Sequence, residues 1–547
     1  MSWAESDEPT LADAAFALDI WPLDAANAAL LDAVHPRDWK DPPPHEEYDL
    51  VAVGAGAAGL ISAKQSARRG ARSAMISEHL AGGDCLNIGC VPSKALLHCA
   101  RVAREARSLT RQGVLIGEGG ESPAFSVDFG AVMARMRRLR AHIAPADSHE
   151  GTAGAGAHCF QGRGRFVGPD AIEVNGRTLR FRKAVVCTGG RAAVPPLDGL
   201  ATAPYVTNAT LFNLTALPPR LVVLGAGAVG LEMAQAFAAF GSQVTVLARS
   251  TILSKEEPAA AQAVQAALEA DGVRFISGAA VEHVVTLRPG SMPSGGMPTP
   301  TVGSDAMWPL MRLTGTGAGG GGGGVAFEVE CEALLVATGR APNVSDLGLE
   351  AAGIDYSSKD GITVDDLGVT TNPAVYAIGD CAAGVPRQTH MAGEMAKLAV
   401  QNALFADAWK ISSMLVPRCT FTDPEVASVG LTAAEASAKG VAIDTYESSL
   451  AHNDRAILED QGGLVQVHCL QGTEKVVGAT VVSAHAGDII SEVSSSSDQP
   501  AQTVYMRMVH MHTISPPRPY TCAWHACARA ARPGHAHAPT VHTHSTG

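Results

Sequence analysis

Thirteen residues, Gly82-Gly83-Asp84-Cys85-Leu86-Asn87-Ile88-Gly89-Cys90-Val91-Pro92-Ser93-Lys94, carry two cysteines five positions apart between a glycine pair and a Pro-Ser-Lys helix start. The chemistry open to such a segment is two-electron thiol–disulfide exchange. Pro92 suits the first position of a helix, where its missing N–H takes nothing from the helix. Cys90 is then expected just before that turn, where the positive end of the helix dipole favours a thiolate. Lys94, four residues on, projects on the same side and lowers the thiol pKa further. Asn87 and Gly89 read as the tight turn that folds Cys85 back onto Cys90. The competing readings are weaker. A structural disulfide is rare in a reducing compartment, and zinc would need a second close pair of ligands, so no resident metal is expected.

At 547 residues the chain is long enough for three or four domains. Its formal charge of −13 argues against nucleic acid or an anionic membrane as partner. No apolar run is long and clean enough to span a bilayer. The N-terminus has neither the basic start and apolar core of a secretory signal nor the acid-poor character of a transit peptide, since Glu5, Asp7, Glu8 and Asp13 come early. Most of the eleven cysteines stand singly in apolar settings, as Cys187, Cys331 and Cys469 do, and read as inert core residues. A cytoplasmic location is expected.

The dithiol needs elements to hold it. Residues 48–53 read as a strand, followed by Gly54-Ala-Gly56-Ala-Ala-Gly59 and an Ala-rich helix. Gly54 permits the turn, Gly56 lets backbone approach a pyrophosphate, and Gly59 allows close helix–strand packing. The pyrophosphate is expected at the helix N-terminus. Glu78, at the end of the next strand, is the candidate ribose-binding acid, although Ser77 stands where that acid would be sought. The pattern repeats in Leu221-Val-Val-Leu224 and Gly225-Ala-Gly227-Ala-Val-Gly230, with Glu232 two residues on. There the place of Ser77 is taken by Ala248, followed by Arg249. No acid repels a 2′-phosphate, and Arg249 can pair with it; a charge-assisted hydrogen bond of about 1.5–3 kcal/mol corresponds to roughly ten- to a hundredfold in affinity. NADPH is therefore expected as donor, with NADH possible. Residues 371–380 read as a short strand ending in Asp380, placed for a ribityl hydroxyl near a helix N-terminus. Thr188-Gly189 and Thr338-Gly339 mark crossings between domains.

Together these motifs resemble the flavin-dependent pyridine nucleotide–disulfide oxidoreductases, which include dihydrolipoamide dehydrogenase, glutathione reductase and mercuric reductase. The resemblance covers about residues 48–493. Similarity to the mercuric reductase-like branch lies in the dithiol string with the Ala95-Leu96-Leu97 that follows, in Val244-Thr-Val-Leu-Ala-Arg249, in Cys419-Thr-Phe-Thr-Asp-Pro-Glu-Val-Ala427 and in Leu30-Leu-Asp-Ala-Val-His-Pro-Arg-Asp-Trp39. It implies an α/β protein with two nested Rossmann-like domains, for FAD and NAD(P)H, followed by an α+β dimerisation domain. Gly83 and Lys94 join Thr188, Gly189, Gly339 and Asp380 as implied FAD contacts. Electrons would pass from NADPH through the flavin to a Cys85–Cys90 disulfide. Cys90 would lie nearest the ring, Cys85 would meet substrate, and Lys94 would pair with Glu232. The implied substrate is a small disulfide or a thiol-reactive metal such as mercury(II), because soft thiolates select soft metals. A homodimer is implied.

The corresponding boundaries are an extension over 1–47, FAD-binding parts at 48–197 and 341–416, and an NAD(P)H domain at 198–340. A low-complexity insert at 288–324 reads as a flexible surface loop. The dimerisation domain, 417–493, reads as incomplete: Ser494 begins a serine run and then a Pro/His/Ala-rich stretch to 547, whose composition cannot bury a core. The family's His–Glu acid–base pair finds no counterpart there, nor does the vicinal cysteine pair of dedicated mercuric reductases; Cys522 and Cys527 are five apart. Three rival readings remain. One is dihydrolipoamide dehydrogenase-like chemistry with NAD. Another is a flavin-binding homologue with impaired turnover. The third passes flavin electrons to oxygen or quinones.

Overall fold

Residues 48–53 and 73–77 are apolar at their centres and buried on both faces, the signature of strands inside a parallel sheet. The computed structural model describes residues 17–114, 126–290, 308–318, 324–405 and 407–495, with Leu11 and Ala15. Two units are distinguished, residues 1–416 with 420–423, and residues 417–419 with those from 424 onward.

In the first unit, strands His158–Gln161, Ser73–Ser77, Tyr48–Val53, the end of Arg177–Val186, and Val375–Ala377 pair in that order, all parallel. The start of Arg177–Val186 turns to antiparallel pairing with Ala171–Val174. Helices Ala57–Arg68 and Thr389–Phe405 share a core through Leu60, Ala63, Met395 and Ala399. The chain between these parts builds a second parallel sheet, Arg274–Ser277, Gln243–Ala248, Arg220–Leu224 and Ala333–Val336. The buried helix Ala228–Phe240 follows its Arg220–Leu224 strand. One dinucleotide-type fold thus interrupts the other, as expected from sequence. At the crossings, Gly190–Ala192 pairs with Arg340–Pro342. Each crossing threonine bonds to the other segment: Thr188 Oγ1 donates to the Asn343 carbonyl and Thr338 Oγ1 to the Ala193 carbonyl, both at 2.6 Å.

The 288–324 segment is not one loop. Leu310–Ala318 is the central strand of an antiparallel sheet with Ala280–Arg288 and Gly324–Cys331. Met311 and Leu313 alternate onto its buried face, a period of two that the surrounding glycines mask. Residues 291–307 and 319–323 lie outside the described residues.

The second unit is a five-stranded sheet in the order Arg418–Thr420, Glu425–Gly430, Val476–Ser483, Leu464–Leu470, Ile443–Ser449. Helix Ala486–Ser495 packs on it through Ile489 and Ile490. The stretch from residue 496 on, with its histidines, Cys522 and Cys527, lies outside the described residues. Among the described residues no helix is long and apolar enough to cross a membrane.

A Cβ added at Gly59 would stand 1.8 Å from the Gly54 carbonyl oxygen, so strand and helix could not keep their approach. Gly59→Ala should lower the melting temperature by an amount matching about 1–3 kcal/mol or more of overpacking. Gly168→Ala, which meets nothing within 4 Å among the described residues, should be close to silent in the same thermal scan.

Candidate active site

The helix bearing the second cysteine runs Cys90–Ser108 with Gly89 as its N-cap, two residues earlier than Pro92 at the first position would give. Pro92 sits third instead. The first four N–H groups of a helix have no acceptor within it, so proline is tolerated there equally well. The first rung is Ser93 N–H to the Gly89 carbonyl at 3.0 Å. Cys90 therefore opens the helix rather than preceding it, still at the positive end of the dipole.

The segment before it is a short helix, Gly83–Asn87, rather than a plain turn. Asn87 ties this helix down, its Nδ2 donating to the Ala81 carbonyl at 3.0 Å and the Gly83 carbonyl at 2.9 Å. Gly89 serves by close approach, since a Cβ there would lie 2.7 Å from the Asp84 carbonyl oxygen.

Cys85 and Cys90 are partly buried thiols that hydrogen-bond to each other. That bond lowers the Cys90 pKa below the usual thiol range, and Thr389 Oγ1, 3.4 Å from its sulfur, and the Lys94 charge act the same way; burial opposes them. Cys85 is pushed up, first by the bond to Cys90 and then by burial. The proton of the pair belongs on Cys85.

Lys94 Nζ donates to Glu232 Oε2 at 3.1 Å and lies 4.2 Å from the Phe421 ring centroid. Glu232 is buried, and its Oε1 accepts the Phe421 N–H at 3.0 Å. Further along the same helix, Arg104 pairs with Asp271 at 3.0 Å and with Asp423. Gln235 Nε2 donates to Asp271 Oδ2 and to the Asp423 carbonyl, both at 2.8 Å. These bonds seat the redox helix against the second dinucleotide-type fold.

Around the dithiol lies a cradle without side chains. Gly54 takes φ +118° and Gly83 φ +55°. A Cβ on Gly83 would come within 2.6 Å of the Gly56 Cα, so two glycine backbones face each other at the N-terminus of helix Ala57–Arg68. Nearby, Asn87 Oδ1 and Gln388 Oε1 are buried without a partner among the described residues. A bare helix N-terminus for a pyrophosphate, with leftover acceptors beside the thiols, fits a flavin dinucleotide. The second fold repeats the device. A Cβ at Gly230 would be 2.4 Å from the Gly225 carbonyl oxygen, one at Gly225 equally close to the Ala337 carbonyl oxygen, while Gly227 has open space.

Ser77 ends its strand, buried, and its hydroxyl donates to the His79 carbonyl at 2.9 Å. Glu78, just beyond, is exposed and 3.5 Å from Arg163. Arg249 follows the end of Gln243–Ala248, exposed, with no carboxylate paired to it among the described residues. Gly189 and Gly339 take positive φ at the two crossings, with open space where a Cβ would be. Asp380 lies not at a strand end but in the single turn Gly379–Cys381, because the strand stops at Ala377. It accepts Arg340 Nε at 2.6 Å, and Arg340 also pairs with Asp84, beside Cys85. Arg340, Thr389, Phe421 and the Arg104 cluster carry no role that is legible in sequence. Their partners lie far along the chain, and no local spacing announces them.

Comparison with known proteins agrees with this geometry. The family model described as pyridine nucleotide-disulphide oxidoreductase matches residues 48–396, and that family's dimerisation domain matches 416–515. The second match runs past residue 493, where the sequence reading set the domain's end. A mercuric reductase of Lysinibacillus sphaericus is 32% identical over 451 residues, 82% of this chain and 77% of its own. A dihydrolipoyl dehydrogenase of Staphylococcus aureus is 30% identical over 458 residues, 82% of this chain and 89% of its own. Among solved structures, the HOCl-induced flavoprotein disulfide reductase RclA from Escherichia coli superposes with a TM-score of 0.68 at 25% identity, covering 82% of this chain and 93% of that one. With one family's pattern running through both nested folds and into the following sheet, the chain belongs to the pyridine nucleotide-disulphide oxidoreductases, flavoproteins that bind FAD and NAD(P)H.

Proposed function

We propose that this protein uses NADPH to reduce a small disulfide or a thiol-bound soft metal, mercury(II) in particular, through FAD and the Cys85/Cys90 pair. The observation that carries the reading is the unequal environment of the two thiols. Cys90 is furnished with donors for a thiolate, while Cys85 keeps its proton. The similarity to mercuric reductases supports the metal as substrate.

When bound, FAD supplies a two-electron relay between a nicotinamide and the Cys85–Cys90 disulfide. Gly56 and Gly83, brought together by the turn at Gly54 and the close packing at Gly59, would hold its pyrophosphate, Glu78 its adenosine ribose and Asp380 its ribityl chain, with Thr188, Gly189 and Gly339 at the crossings. Gly225, Gly227 and Gly230 would receive the second dinucleotide, and Arg249 its 2′-phosphate. Lys94, fixed by Glu232, would place a positive charge where negative charge builds on reduction.

In the dithiol form Cys85 gives its proton up along the hydrogen bond to Cys90 and attacks one sulfur of the substrate disulfide, releasing a thiolate. Cys90, having passed that proton to the released thiolate, attacks Cys85. The mixed disulfide breaks, the second product thiolate leaves, and the Cys85–Cys90 bond re-forms. With a metal, both thiolates serve as soft ligands before reduction. Turnover as a homodimer in the cytoplasm, with FAD-binding parts at 48–197 and 341–416 around an NAD(P)H domain at 198–340, completes the proposal.

Arg249→Ala should lower the NADPH preference roughly ten- to a hundredfold in kcat/KM relative to NADH, read by stopped-flow flavin bleaching; a wild-type enzyme that favours NADH would refute the donor assignment. Thr389→Val removes a donor to the Cys90 thiolate, so its titration should move up, by about one unit. The sign is fixed: a lowered pKa means thiolate persists to lower pH, and losing a donor makes it vanish sooner as pH falls. Ultraviolet thiolate absorbance of the reduced protein against pH measures this. In Cys85→Ser, disulfide reduction should be abolished while NADPH still bleaches the flavin; sustained disulfide turnover would remove Cys85 from the substrate-facing role.

A further inference from the structure

Arg140, on helix Phe129–Ile143, is fully buried, yet its guanidinium meets no carboxylate among the described residues. Its Nη1 donates to the Asn87 carbonyl at 2.6 Å and its Nη2 to Asn27 Oδ1 at 2.7 Å, while its Nε has no partner among them. Burial lowers its pKa to about 10, so the charge persists at neutral pH. A cation held by two neutral oxygens is an unfavourable way to fill a core, and the two bonds join the dithiol segment to a helix far upstream.

Asn87 lies between the two cysteines. Asn27 lies in helix Ala25–Val34, upstream of the first dinucleotide fold. The same helix reaches the redox segment a second time, through its last residue: Ala81 N–H donates to the Val34 carbonyl at 3.0 Å. Ala81 and Asn87 are joined in turn by the Asn87 Nδ2 bond of 3.0 Å. A closed ring results, Asn27 to Arg140 to Asn87 to Ala81 to Val34, with the helix as its rigid side. Seven residues of α-helix span about 10 Å. The helix is itself fixed at its start. Asp24 accepts the Asn27 N–H at 2.9 Å and pairs with Arg137 at 2.7 Å, and Asn27 Nδ2 donates to the Pro22 carbonyl at 2.7 Å.

We propose that helix Ala25–Val34 is a clamp on the Cys85/Cys90 segment and that Arg140 is the positioning residue through which it acts. The proposal rests on the reading of Cys85 and Cys90 as a reducible pair. Closure of a disulfide depends on the effective concentration of one thiol at the other, and a segment pinned at two points loses less freedom when it closes. Releasing either pin therefore shifts the pair toward the dithiol, making it easier to reduce.

The test equilibrates the full-length, FAD-loaded protein with a dithiothreitol redox buffer, in which two dithiothreitol thiols become one cyclic disulfide as Cys85–Cys90 opens to two thiols. Alkylation and mass spectrometry count the fractions. Asn27→Ala and Arg140→Lys should each shift the equilibrium about tenfold toward the dithiol, about 30 mV for a two-electron couple, with the rate of flavin bleaching by NADPH unchanged. Asn27→Asp keeps an oxygen for Arg140 and should restore the wild-type equilibrium. An Asn27→Ala protein with full flavin content and a wild-type equilibrium overturns the clamp, whatever Arg140→Lys does to folding. A wild-type pair that does not exchange with dithiothreitol at all overturns the redox reading as well, and so separates the two failures.

Discussion

A thiolate cannot be buried without donors, and the sulfur of Cys90 is where the parts of this protein have to meet. Burial alone would keep Cys90 protonated. Three groups reverse that: the Cys85 thiol, the Thr389 hydroxyl and the Lys94 ammonium. They come from the short helix before Cys90, from the start of the helix that follows the last strand of the first sheet, and from one turn along the redox helix itself. Thr389 lies 299 residues from Cys90. Its hydroxyl reaches the sulfur only if the interrupted sheet has closed around the inserted domain, so correct assembly of the first fold and the state of the thiol are coupled.

Lys94 is itself placed rather than placing. Its side chain is 39% exposed, whereas that of Glu232 is 6% exposed. Glu232 is also the better anchored partner, because its other oxygen takes a backbone N–H from Phe421. The order of control runs from the second dinucleotide-type fold to Glu232, then to Lys94, then to Cys90. The Arg104 cluster fixes the same helix farther along its length. A shift of the inserted domain would therefore reach the thiols through two contacts on one rigid helix, not through a loop.

How much of this is legible in sequence depends on whether a constraint is local. The glycines at 54, 59, 225 and 230 are readable because backbone passes so close that no Cβ fits, and the spacing of that approach is fixed within six residues. Pro92 locates the redox helix but not its first residue, since proline satisfies any of the opening positions. The Gly/Pro-rich stretch before it and the Gly319–Gly324 run after it make 308–318 read as part of one low-complexity insert, and the strand adds Gly315 and Gly317 of its own. In the strand those glycines are needed, as a Cβ at 315 would lie 2.1 Å from the Ala280 carbonyl oxygen. Thr389, Arg340 and Arg140 act across long separations and carry no local pattern, so only the folded chain reveals them.

The two glycine turns also show what such motifs leave unsaid. Their backbones are nearly interchangeable: Gly54 and Gly225 have φ of +118° and +116° and pass equally near a carbonyl of the crossing strand. What differs is the charge just past the second strand. In the first fold it is Glu78, drawn toward Arg163. In the second it is Arg249, exposed and without a paired carboxylate among the described residues. A glycine turn supplies N–H groups that accept any pyrophosphate, so it cannot separate one dinucleotide from another. A free 2′-hydroxyl and a 2′-phosphate differ in charge, which a charged side chain senses and a glycine turn does not, and just past the second strand the two folds of this chain carry opposite signs.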